Sequence, residues 1–141
     1  MANVIKIILL SAIAIGVLNG QRTIIQNQKI QMKQQFHNDF IALVSLLDED
    51  GLEKVATAKN TSSLTMKESF ATGLLLQRFI KAYEIRNAFS DEEWNYIEKE
   101  IKVTIMGSQL LRARWEQVRI WYSPGIRYPL DKIIFDNLTE K

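Results

Sequence analysis

The sequence predicts an all-α protein: one N-terminal transmembrane helix continuing into a compact bundle of about four to five helices. Three observations carry this. The 141 residues include only two prolines and six glycines, too few turn formers for a sandwich or barrel of short strands. Apolar residues along the body recur at steps of three and four, the period of a helix with one covered face. Residues 4–18 form an almost unbroken apolar run, which reads as a membrane anchor. With 47% hydrophobic and 24% charged residues, the remainder has the composition of a folded domain and of one core. The expected division is an anchor over 1–20, a polar juxtamembrane helix over 21–35 and a helical domain over 36–141.

The anchor segment reads VIKIILLSAIAIGVL from Val4 to Leu18, and its single charge, Lys6, sits where it can snorkel to headgroups. Fifteen residues span roughly 22 Å, against about 30 Å of hydrocarbon. Ala2, Asn3, Asn19 and Gly20 bring the segment near spanning length, and local thinning absorbs the rest. A cleaved signal peptide and a buried helix are the competing readings. Cleavage after Ala12-Ile13-Ala14 would fall inside the apolar run, and a site after Gly20 has bulky Leu18 at the third position back. Arg22, Lys29 and Lys33 follow the segment while only Lys6 and the amino terminus precede it, so the domain is expected in the cytoplasm. The sequons at Asn60 and Asn137 then read as incidental.

After the anchor, QRTIIQNQKIQMKQQ has no helix breaker, and Ile25, Met32, Phe36, Leu43 and Leu47 fall near one stripe, so the anchor continues as one long helix. Leu18, Ile25 and Met32 are spaced by sevens, which also fits a short dimerising coiled coil. Asp50-Gly51-Leu52-Glu53 predicts a short helix to about Lys59, followed by a loop over Asn60 to Ser63. Thr65 with Glu68 opens a helix from about Met66 to Ala88, with Phe70, Leu74, Leu75, Phe79 and Tyr83 on its apolar face. Ser90 with Glu93 opens the next, and Trp94, Ile97, Ile101 and Ile105 form its buried stripe. Gly107 suits a left-handed cap and Ser108 an N-cap for a helix carrying Leu111, Trp115, Val118 and Tyr122. Ser123 caps a last helix with Pro124 at its first position and Ile126, Leu130, Ile134 and Leu138 every four residues; Pro129 is expected to irregularise it.

Composition and motifs exclude several functions. There is no cysteine, so no disulfide, thiol chemistry or thiolate metal site is available. The net charge of +2 conceals a basic amino-terminal end, and from Phe36 onward acids slightly outnumber bases, unlike a nucleic-acid binder. The single histidine, His37, lacks the converging ligands a metal needs. Asp48-Glu49-Asp50 and Asp91-Glu92-Glu93 lack calcium-loop spacing and are explained by capping and the helix dipole. No phosphate loop or nucleophile elbow is present, so no cofactor and no catalysis are expected.

The segment from Arg112 to Tyr128 interleaves arginines with aromatic residues. Trp115 and Tyr122 are expected in the core, with Arg114 and Arg119 paired to Glu116 or to acids between Glu92 and Glu100. Arg112, Arg114, Arg119, Trp121, Arg127 and Tyr128 are the candidate partner surface, since arginine and aromatic residues dominate protein interfaces.

The same stretch resembles an uncharacterised family of small bacterial membrane-anchored helical proteins, with an Arg-x-Trp-Trp-Glu helix leading to Tyr-Ser-Pro-x-Phe-Arg. Tyr83-Glu84 matches a central Tyr-Glu pair, Arg112, Trp115 and Glu116 match the helix, and Tyr122, Ser123, Pro124 and Arg127 match the corner. Arg114 stands where the first tryptophan would be, and Ile126 replaces the phenylalanine. The resemblance implies a fold-defining corner of Trp115, Tyr122 and Pro124, and no activity. The function expected is a membrane-tethered interaction or accessory protein, its partners being membrane lipid and other membrane-complex subunits or further copies of itself, with no nucleic acid. An exported helical binding module is the alternative.

Overall fold

The computed structural model describes residues 2–136, with side chains from residue 10 onward. It contains α1 (Ala2–Ser45), α2 (Glu49–Thr57), α3 (Met66–Glu84), α4 (Asp91–Gly107), α5 (Gln109–Val118) and α6 (Pro124–Phe135), with 3-10 turns at Arg86–Ala88 and Arg119–Trp121. No strand occurs among the described residues. The class is all-α.

The 44 residues of α1 run without a break for about 66 Å. Among its described side chains, packing is confined to the carboxy-terminal quarter. From Leu10 to Gln35 every side chain but that of Lys33 is exposed, and burial begins at Phe36 and continues with Leu43. Ile25 and Met32 share the stripe of those two residues yet stay in the open. Among the described residues no helix is long and apolar enough to cross a membrane, because polar Asn19, Gln21 and Arg22 follow the apolar stretch from Leu10 to Leu18. The earlier part of that stretch, residues 4–9, lies outside the described side chains.

Capping fixes where the bundle helices begin. Thr65 Oγ1 accepts from the Glu68 amide at 3.2 Å while the Thr65 amide donates to Glu68 Oε2 at 2.6 Å. Ser90 and Glu93 repeat the reciprocal pair at 3.2 and 2.8 Å, so both boxes satisfy two otherwise orphaned donors. The start of α2 lies elsewhere than the Asp50 pattern predicts. Asp48 is the cap, its Oδ1 accepting from the Gly51 amide at 2.7 Å, and Asp50 is left inside the first turn. Ser123 caps α6 through backbone alone, with Pro124 at its first turn.

Three further expectations are corrected. No described glycine has positive φ, so Gly107 is no left-handed cap. The helix ends instead because Ser108 turns extended, Arg112 Nη1 donates to the Ile105 and Met106 carbonyls, and Ser108 Oγ, fully buried, donates to the Ala58 carbonyl while accepting from the Leu111 amide. Pro129 leaves α6 helical throughout. Phe70, expected on the covered face of α3, is 63% exposed. Leu138 and the sequon at Asn137 lie outside the described residues.

Phe79, Ile101, Ile105, Leu111, Trp115, Leu130 and Ile134 form the centre of a single core to which α3, α4, α5 and α6 all contribute. At one end, α1 enters it: Phe36 meets Phe89 edge-on at 5.4 Å, and the Arg78 guanidinium lies 4.4 Å over the Phe36 ring and 4.2 Å over the Phe40 ring. Arg78 also reaches Glu100 at 3.0 Å, joining α1, α3 and α4 through one side chain.

Candidate functional site

The six candidate surface residues separate into two groups. Arg112 is spent on the α4 carbonyls described above. Arg114 turns inward, where its Nη2 donates to Ser69 Oγ of α3 at 3.0 Å. Arg119 pairs with Asp131 at 3.3 Å and lies 5.0 Å over the Phe135 ring. The partners therefore differ from the expected Glu116 or acids of α4: Asp131 of α6 takes Arg119, and Ser69 of α3 takes Arg114. Asp131 also accepts from Trp115 Nε1 at 2.9 Å. That indole is fully buried and stacks on Tyr122 at 5.7 Å, so the corner from α5 to α6 is a packed structural element.

The outward group is Trp121, Arg127 and Tyr128. Trp121 is 80% exposed, at the end of the Arg119–Trp121 3-10 turn. Ile120 stands exposed beside it. Ile120 was not among the expected surface residues, although its place nearly opposite the Leu111, Trp115, Val118 stripe marks it as outward. Arg127 lies 5.2 Å over the Tyr128 ring, and Tyr128 borders an open groove of ≈ 810 Å³ between α4 and α6 that Lys99, Lys102, Lys132 and Ile133 also line.

The groove is open, and Glu98 and Asp136 share its lining with the three lysines. Among the described residues no group of three or more histidine, aspartate or glutamate side chains is placed to hold a metal. His37 is exposed, touching the Phe36 ring edge-on. The Glu68 carboxyl is held below its ordinary range by the Thr65 amide it accepts from, and that of Glu93 by the Ser90 amide and then by Lys33 at 3.0 Å. Both shifts belong to helix caps. Burial, helped by the charge of Glu98, pushes the Tyr83 phenol upward, and its hydroxyl is buried without a hydrogen-bond partner beside Trp94.

The larger unsatisfied surface is α1 itself. Leu10, Ile13, Ile15, Val17, Leu18, Ile24, Ile25 and Ile30 are all at least half exposed, on every side of the part of the helix that precedes its contact with the bundle. No protein-family model, curated protein or solved structure matches this chain.

Proposed function

We propose that the chain is a membrane-tethered helical accessory protein, a small subunit of a larger membrane complex, with its bundle on the cytoplasmic side and no chemistry of its own. The observation that carries this reading is the apolar surface of α1. A helix apolar all round requires a surrounding that is itself apolar, either a bilayer or other protein, and among the described residues the bundle buries no apolar side chain of it before Phe36. Lipid then receives the segment over 1–20, the stretch over 21–35 is a polar stalk, and the domain over 36–141 presents Trp121, Arg127 and Tyr128 outward. The short anchor gains from protein neighbours, since Ser11, Ala12, Ala14 and Gly16 allow close helix approach. The cation excess at Arg22, Lys29 and Lys33 supports the cytoplasmic side.

Mild detergent extraction from the native membrane followed by native mass measurement tests this. The reading expects a full-length chain in stoichiometric association with other membrane subunits. A homogeneous monomer under conditions that keep other membrane complexes intact overturns it.

A further inference from the structure

The face of α1 that the bundle covers continues uncovered toward the amino terminus. At 3.6 residues per turn, Ala14, Leu18, Ile25, Met32, Phe36 and Leu43 fall within about 40° of one another. Phe36 and Leu43 are buried by α3 and the Arg86–Ala88 turn, whereas Leu18 and Ile25 are more than half exposed. Arg22 and Lys29 interleave with these residues on the same face, and among the described residues neither is paired with an acid of the bundle. Where the stripe enters the bundle, Phe89 meets Phe36 at 5.4 Å and the start of α4 is fastened to the stalk by the Lys33 to Glu93 pair at 3.0 Å, which together form a ledge.

We infer that residues 18–32 of α1 seat a helix of a second, integral membrane protein, apolar on one face and carrying carboxylates about seven residues apart to meet Arg22 and Lys29. This rests on the tether reading above. The occupant runs out of the bilayer beside α1, packs along the stripe for about 20 Å, and stops against the ledge. A second copy of this chain does not fit. Anchored in the same bilayer it would run parallel, setting Arg22 and Lys29 against their own counterparts. Its α1 also continues to Ser45, into the space that Phe89 and Arg78 of the first copy already fill around Phe36. A foreign helix ending near Met32 meets neither obstacle. An apolar seam with opposite charges beside it is the ordinary recognition chemistry of paired helices.

The test uses the full chain in its native membrane, with a photoreactive benzophenone amino acid replacing either Ile25 on the stripe or Asn27 on the opposite face. The expected result is an adduct from position 25 and none from position 27. The linked peptide of the partner lies within about four turns after a hydrophobic span. The double charge reversal Arg22→Glu with Lys29→Glu lowers the adduct about tenfold or more. An adduct of twice this chain's mass, a lipid adduct alone, equal yields from both faces, or indifference to charge reversal each overturns the inference. An alkaline wash of the same membranes separates the two claims. Release of the chain defeats the tether, whereas a retained chain without an adduct at position 25 defeats this inference alone.

Discussion

Arg78 joins the stalk to the bundle, and its removal has a calculable consequence. Its guanidinium is sandwiched between the Phe36 and Phe40 rings at 4.4 and 4.2 Å and paired with Glu100 at 3.0 Å. With the Arg78 side chain 8% and that of Glu100 31% exposed, the pair is mostly desolvated at one end only. Two ring contacts at about 1 kcal/mol each, a half-buried pair at about 1–2 kcal/mol and the lost packing of the aliphatic stem oppose one existing penalty. Arg78 Nε is buried without a partner, which costs about 1 kcal/mol in the wild-type protein. The net expectation for Arg78→Ala is a loss of about 3 kcal/mol in reversible denaturation of the detergent-solubilised chain, with amide exchange accelerated first over Phe36 to Ser45. Arg78→Lys keeps the charge without the plane that stacks on both rings, and is expected to lose about half as much. A loss below about 1 kcal/mol for alanine, or a lysine variant equal to wild type, refutes the sandwich as the joint.

Trp115→Phe removes the indole donor to Asp131 and part of a fully buried volume. A loss of about 2 kcal/mol is expected by the same denaturation measurement. Trp121→Ser, by contrast, changes stability by less than about 0.5 kcal/mol because the side chain is already solvated; the proposed accessory role expects it to reduce the fraction of chain that co-purifies with other membrane subunits. Glu68 and Glu93 have folded pKa values below the ordinary 4.5. Protonation therefore favours the unfolded chain, and their contribution is intact above that value and lost as pH falls through the depressed folded values. Thermal scans from neutral to acid pH should show a falling midpoint, and the pair Glu68→Gln with Glu93→Gln should flatten the acid limb.

What the sequence made legible was mostly local. The boxes at Thr65 and Ser90 were readable because donor and acceptor lie three residues apart, and the stripe from Trp94 to Ile105 because its period belongs to one helix. Asp48 was missed because three acids in a row offer more than one possible cap, and only backbone geometry selects among them. The fate of Gly107 depended on Arg112 and Ala58, which arrive from other elements. For the candidate surface, the sequence shows only residue types, whereas tertiary partners decide which side chains stay exposed. Asp131 and Ser69 claim Arg119 and Arg114, leaving Trp121, Arg127 and Tyr128 outward. Arg78 drew no notice in the sequence because a lone cation near an apolar helical face looks solvated until Phe36 and Phe40 are brought over it.

The tether is most directly tested by washing native membranes at alkaline pH and measuring the intact mass of the chain in the pellet. Retention of a chain that still contains residues 1–20 is the result expected. A chain found in the wash, or one shortened by about 14–20 residues at a signal-type cleavage site, would contradict the account.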